Sequence, residues 1–164
     1  MFIDKYWTAT IPANLTNNRA DEDAIREYKK QNHRKTKILI IDDEPDNALL
    51  FRNALEKKGF KEVDTANDPI LALKNFKQGS YDLLIIEVVM RQIDGFRLFE
   101  ELRKKDSKVK VCFITIGKVN YQAMRDVFPD ATPTDDIGCF ICKPVNMDDL
   151  VRHVKRELDR SWLD

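Results

Sequence analysis

The chain has 164 residues, 43% hydrophobic and 34% charged, with 28 basic and 28 acidic side chains and a formal net charge of zero. That balance fits one soluble domain with an appendage and argues against a general nucleic-acid binder, which would show a basic excess. No apolar stretch approaches the roughly 20 residues that cross a bilayer, the start Met1-Phe2-Ile3-Asp4-Lys5 lacks the pattern of a secretory signal, and three cysteines, an odd number, do not make a disulfide framework, so a reducing cytoplasm is the expected compartment.

Residues 1–36 follow no steady pattern and read as a partly ordered arm or linker ahead of a domain over residues 37–164. Phe2, Ile3, Tyr6, Trp7 and Ile11 are apolar without a period, and Tyr6 and Trp7 suggest the sharper alternative of a docking segment. Asn14-Leu15-Thr16 matches a glycosylation sequon, which carries little weight without a secretion signal. Asp21 to Lys30 is expected to form a short helix with Ala24, Ile25 and Tyr28 on one side. Lys29, Lys30, Arg34, Lys35 and Lys37 then make a basic linker around His33.

From Lys37 the pattern becomes regular. Ile38 to Ile41 reads as a buried strand that runs directly into Asp42-Asp43-Glu44, and Pro45 suits the first turn of a helix. Ala48, Phe51 and Leu55 form one apolar stripe, and Gly59 is a plausible stop. Lys61 to Thr65 is a second strand. A second helix starts at Asp68-Pro69, turns Leu73 and Phe76 inward and ends at Gly79. Leu83 to Ile86 is a third strand buried on both faces, with Glu87 at its tip. Asp94-Gly95 is turn chemistry before a helix carrying Phe96, Phe99 and Leu102. Val109 to Thr115 is a fourth strand, Asn120 to Val127 a helix, and Pro129 to Asp136 a polar loop. Gly138 to Cys142 is a fifth strand ended by Lys143-Pro144. Asn146 caps a last helix with Met147, Leu150, Val151, Val154 and Leu158 in helical spacing.

Five strand–helix pairs in strict alternation imply right-handed crossovers and a parallel sheet covered on both faces. The fold expected is α/β, a doubly wound five-stranded parallel sheet of flavodoxin-like (βα)5 order 2-1-3-4-5, with its site at the carboxyl ends of the strands. That order brings Asp42, Asp43 and Glu87 together, with Thr115 and Lys143 on the same rim. Three carboxylates at close range repel one another unless a cation joins them, and an all-oxygen set suits Mg²⁺. A hydroxyl and an ammonium opposite a carboxylate suit a phosphoryl group. The bland alternative makes Asp42-Asp43 loop and cap residues and Lys143 a surface lysine, but that requires all five to fall at strand tips by coincidence.

Other chemistry is weaker. Cys139 and Cys142 form a C-x-x-C, but within a strand residues three apart face opposite ways, so structural burial is expected rather than redox activity. His153 sits beside the apolar stripe of the last helix and is expected to be solvated. Neither it nor His33 has a partner suggesting catalysis or a metal. No Gly-rich phosphate loop or Ser-His-Asp arrangement supports a hydrolase, and the chain is not expected to be an enzyme.

Residues 37–160 resemble the receiver domain of two-component response regulators. The resemblance is carried by Ile38-Leu39-Ile40-Ile41-Asp42-Asp43-Glu44-Pro45, by Asp94-Gly95 after the third strand, by Thr115, and by Phe140-Ile141-Cys142-Lys143-Pro144. It implies that Asp42 and Asp43 hold Mg²⁺ with the Val89 carbonyl. It also implies that Thr115 and Lys143 contact a phosphoryl group, and that Thr115 and Phe140 form a switch. It further implies a sensor histidine kinase or phosphotransfer protein as donor, and a downstream protein or a second copy of the chain as target. At the phosphoacceptor position, however, the family's Asp is replaced by Glu87. One extra methylene carries the carboxylate about 1.5 Å further out, and a misplacement of about 1 Å can cost on the order of 100-fold in transfer. The same reach lets Glu87 approach Lys143 or Thr115 and imitate a phosphorylated Asp. Arg91 replaces a usual Pro, Ile116 a usual small residue, and Phe140 lacks a hydroxyl, so a switch there would rest on packing. Two readings follow: a single-domain receiver locked by Glu87, its output passing through a partner, or a phosphorylation-independent interaction scaffold. If Glu87 pairs with Lys143, Mg²⁺ binding is weakened.

Overall fold

The computed structural model of the protein describes residues 19–116 and 139–160. The elements are α1 (Arg19–Lys35), β1 (Lys37–Ile41), α2 (Pro45–Lys57), β2 (Glu62–Ala66), α3 (Pro69–Asn75), β3 (Leu83–Glu87), α4 (Gly95–Lys105), β4 (Lys110–Ile116), β5 (Cys139–Lys143) and α5 (Met147–Asp159). All four strand pairings are parallel, and the sheet order is β2-β1-β3-β4-β5. This is the doubly wound architecture that the alternation implies. The helix and loop expected over residues 120–136, and the aromatics Tyr6 and Trp7, lie outside the described residues.

The strands' two-residue period sorts their side chains into two cores. On one face Ile38, Ile40, Leu83, Ile85, Ile114 and Ile141 pack under α2 and α5, which contribute Ala48, Phe51, Leu55, Leu150, Val151 and Val154. On the other, Leu39, Ile41, Leu84, Ile86, Val111 and Phe113 meet Phe96, Leu98, Phe99 and Leu102 of α4. Helices α3, α4 and α5 are each capped by a side chain of the residue before them. Asp68 and Asp94 accept hydrogen bonds from the Leu71 and Arg97 amides, and Asn146 accepts from both the Asp148 and Asp149 amides. Lys110, at the start of β4, finishes α5. Its Nζ donates to the carbonyls of Glu157, Leu158 and Arg160 at 2.9, 2.8 and 2.6 Å, partnering carbonyls that a helix end otherwise leaves open. Among the described residues no helix is long and apolar enough to cross a membrane.

Three local expectations are corrected. The segment before β1 is not a short helix plus a basic linker. The helix runs from Arg19 to Lys35, so Arg34 and Lys35 form its last turn, where cations suit the dipole. The His33 ring lies 4.9 Å from that of Phe60, so this residue meets the domain rather than hanging in a linker. Helix α3 stops at Asn75, before Gly79, because Phe76 turns extended to bury its ring. Gly79 instead takes φ +71° in the following turn, and its amide donates to buried Asp106 at 2.8 Å.

The odd number of cysteines does not keep two of them from pairing. Cys112 and Cys139 are direct partners in the β4–β5 register, with Cα atoms 4.5 Å apart, and they are joined as a disulfide. Both side chains point into the α2/α5 core. Cys142, three residues along the strand, faces the opposite way, as strand geometry requires, but it is exposed, so the burial expected of it is not found. Counting cysteines could not reveal this pair, because it depends on the register between strands separated by a long connection. The compartment inferred from the count loses its support. Thiol titration of the unfolded, unreduced chain should find one thiol, and three after reduction. Three before reduction would contradict the pairing. Reduction should lower stability by about 2–4 kcal/mol, since the bond closes a segment of 27 residues.

Candidate functional site

The carboxyl edge of the sheet gathers the polar residues that the strand tips carry. Asp42 follows β1 and is only 1% exposed. Its amide is tied to the Ala66 carbonyl at 3.2 Å and its own carbonyl to Asn67 Nδ2 at 3.1 Å. One carboxylate oxygen, Oδ1, accepts from the Glu44 amide at 2.8 Å, whereas Oδ2 is buried without a hydrogen-bond partner. Burial raises the Asp42 carboxyl above its ordinary range, the neighbouring Glu87 charge adds to this, and the Glu44 amide and Lys143 oppose it.

Glu87 is the last residue of β3 and is 3% exposed. Lys143, the last residue of β5, brings its Nζ to 2.5 Å from Glu87 Oε2, with 27% of its side chain exposed. The Val89 amide donates to the other oxygen, Oε1, at 3.2 Å. Burial alone would lower the Lys143 ammonium, yet the Glu87 carboxylate at contact distance, with Asp42 and Glu44 behind it, holds it above the ordinary lysine range. The approach to Lys143 anticipated for Glu87 is therefore present.

Asp43 is gripped by Arg91. The Arg91 amide and Arg91 Nε both donate to its Oδ2, at 3.1 and 3.0 Å. The Arg91 backbone and side-chain hydrogen bonds and the guanidinium charge together outweigh burial and hold the Asp43 carboxyl below its usual range. Thr115 is buried next to the end of β4, paired in register with Cys142, while Ile116 pairs with Lys143. Ile116 and Val89 are both exposed, so the Ile116 side chain stands at the rim. Phe140 turns inward, its ring 5.5 Å from that of Phe113 and 6.2 Å from that of Phe96.

The donor chemistry fits a hard divalent cation, since Asp42 and Asp43 follow one another at this edge and Asp42 Oδ2 is buried without a partner. Among the described residues, though, no three acidic, thiol or imidazole groups are gathered ready to hold a metal. Lys143 and Arg91 each draw a carboxylate to themselves. His153 contacts Arg156 through Nδ1 at 2.9 Å, away from this edge.

Two features escaped the sequence. The Arg91 cation was visible, but its partner 48 residues away was not. Asp94-Gly95 looked like turn chemistry, yet Gly95 opens α4 and is required by contact rather than by its φ. A Cβ there would lie 2.4 Å from the Glu87 carbonyl oxygen and 2.9 Å from Val88 Cα. Its amide donates to the Val88 carbonyl at 2.8 Å, which seats α4 against the strand carrying Glu87.

Residues 38–155 match the family model described as response regulator receiver domain. The chain is 31% identical over 152 residues to the sensor protein EvgS of Escherichia coli (strain K12), covering 92% of this chain and 12% of that protein. It is 28% identical over 126 residues to the transcriptional regulatory protein RprY of Bacteroides fragilis (strain YCH46), covering 77% of this chain and 50% of that protein. The chain thus spans half the length of these relatives or less. Its fold is shared by the non-phosphorylated HemR receiver domain from Leptospira biflexa, at TM-score 0.64 and 19% identity, covering 79% of this chain and 98% of that one. A CheY-like receiver domain protein from Methanospirillum hungatei JF-1 also shares it, at TM-score 0.61 and 23% identity, with coverages of 76% and 94%.

Replacing Lys143 with Met should cost about 2–3 kcal/mol in denaturant unfolding, because Glu87 is left buried without its cation. No loss would mean that Glu87 is neutralised some other way. The raised Lys143 value means that its contribution is complete below the ordinary lysine range and is lost only as pH rises through the raised value, so it should not titrate near neutrality. Asp42 has the reverse effect. Its raised carboxyl favours the fold while protonated, and that contribution is lost as pH rises through the folded value. Asp42→Asn should therefore raise the melting temperature at neutral pH without added metal, by about 1 kcal/mol of stability. A lower melting temperature would contradict the crowding of charge at this edge. Gly95→Ala should destabilise by about 2 kcal/mol or more through the backbone clash.

Proposed function

The chain belongs to the response regulator receiver domain family, and from that membership we propose that it acts in phosphorelay signalling with its site locked by Glu87 in a state resembling the phosphorylated one. The observation that carries this reading is the 2.5 Å approach of Lys143 Nζ to Glu87 Oε2. In this reading Glu87 stands at the phosphoacceptor position and its longer side chain places negative charge on the lysine that would otherwise meet a phosphoryl oxygen. Thr115 and Phe140 are the switch pair, and the inward Phe140 ring, stacked on Phe113, is the packing expected of an engaged switch.

Asp42 and Asp43, with Glu87 and the Val89 carbonyl, are the residues that would hold Mg²⁺. Bound there, the ion would offset the charge of the acid edge and of an incoming phosphoryl group. The unpartnered Asp42 oxygen supports such a site, and the Glu87–Lys143 pair weakens it. Residues 37–164 form the receiver unit, with residues 1–36 as the arm ahead of it. The chain is a signalling module rather than an enzyme. Its partners are a histidine kinase or phosphotransfer protein upstream, if the site is live, and a protein target downstream. The clasp of Arg91 on Asp43 favours a second reading, a scaffold that works without phosphorylation.

Intact mass after incubation with acetyl phosphate and Mg²⁺, on this chain and on Glu87→Asp, separates these readings. The locked receiver predicts that only the Asp variant gains a phosphoryl group. Modification of the unaltered chain would overturn the lock, and modification of neither would favour the scaffold.

A further inference from the structure

Arg91 and Lys143 both place a cation on the acid edge, but they are held differently. Lys143 leaves β5 with 27% of its side chain exposed and closes on buried Glu87. Arg91 sits on the loop between β3 and α4 with 84% of its side chain exposed, while the Asp43 side chain it grips is 13% exposed. Three contacts form the grip: the Arg91 amide to Asp43 Oδ2 at 3.1 Å, Nε to the same oxygen at 3.0 Å, and Nη2 to the Asp43 carbonyl at 3.5 Å. The fold thus fixes the carboxylate and leaves the guanidinium in solvent. Such a cation can leave without unpacking anything, whereas Lys143 cannot abandon Glu87 without stranding a buried charge.

Beside this clasp lies Asp42, almost wholly buried, whose Oδ2 has no hydrogen-bond partner. That orphan oxygen marks an edge still short of positive charge. On the next residue, Asp43 Oδ2 is occupied by two Arg91 donors.

We infer that Arg91 is a displaceable internal competitor for a divalent cation at Asp42 and Asp43, so that the ion enters by exchange with the guanidinium. The inference rests on the reading of this edge as a cation site. The clasp ties the β3–α4 loop to the β1–α2 loop through the guanidinium and the Arg91 amide, so cation entry would exchange the guanidinium tie for one that runs through the ion to the Val89 carbonyl. The same sequence change that fills the edge with a tethered charge makes the tie between these loops, guanidinium or ion, depend on divalent concentration.

The test is calorimetric titration of the metal-free full chain with Mg²⁺, and separately with Mn²⁺, alongside the melting temperature at each concentration. The variants are Arg91→Ala, Arg91→Lys and Asp42→Asn. The Ala substitution removes an exposed side chain and keeps the backbone donor, so folding is preserved. It should bind either ion about fivefold more tightly, the scale of an exposed ion pair, and should melt higher at the same ion concentration. The Lys variant, charged but without the fork, should fall between, and the Asn variant should lose the response. Equal affinity of Arg91→Ala and the unaltered chain, with binding still abolished in Asp42→Asn, would overturn the competitor role while leaving the cation site standing. Weaker binding by the Ala variant would make Arg91 a support of the site and also overturn it. Binding by no variant would remove the cation site and the inference together, without bearing on the Glu87 lock, which the Glu87–Lys143 pair carries.

Discussion

Glu87 is a carboxylate at the end of the central strand, and the fold cannot leave it unneutralised. It is 3% exposed, beside a second acid that is 1% exposed, and an unpaired charge in such a place costs several kcal/mol. The ammonium of Lys143 meets that requirement, and it does so only because β5 lies next to β4 and β4 next to β3. The register of three strands is therefore written into the distance between one oxygen and one nitrogen. The same edge shows what happens to charge that is not so well met. Asp42 keeps an orphan oxygen and a raised carboxyl, and Asp43 is served by a guanidinium that stands mostly in water.

The supports of this edge are backbone contacts as much as charges. Gly95 lets the first turn of α4 lie against the Glu87 carbonyl, and its amide holds the Val88 carbonyl. The Val88 amide in turn reaches the Ile114 carbonyl at 2.8 Å, so β3, β4 and α4 converge on the residue after Glu87. On the far side of the sheet the Cys112–Cys139 bond pins β5, an edge strand, to its neighbour. Lys143 is carried by a strand fastened at its opposite end.

Much of this could be read from the chain itself. Alternating buried runs and amphipathic stripes specify the doubly wound sheet, because a period of two and a period of 3.6 cannot be exchanged. The residues at the strand tips then follow from topology, which is why Asp42, Asp43, Glu87, Thr115 and Lys143 were legible as one rim. What escaped needed information that local pattern does not hold. The disulfide depends on the register between β4 and β5, the partner of Arg91 on how two loops meet, and the necessity of Gly95 on a backbone approach of 2.4 Å for an atom it lacks. A glycine is a frequent stop, so pattern alone carries α3 on to Gly79, whereas burial of Phe76 ends the helix first. His33 read as linker because a run of cations looks like solvated chain until its ring is seen against Phe60.

Glu87 and Lys143 act as one unit. A double-mutant cycle of Glu87→Gln and Lys143→Met, read by denaturant unfolding at neutral pH, tests it most directly. A coupling energy of about 2 kcal/mol is expected, with the double variant more stable than Lys143→Met alone because the stranded charge is gone. Additive effects of the two substitutions would contradict it, and the site would then have to be understood without the pair.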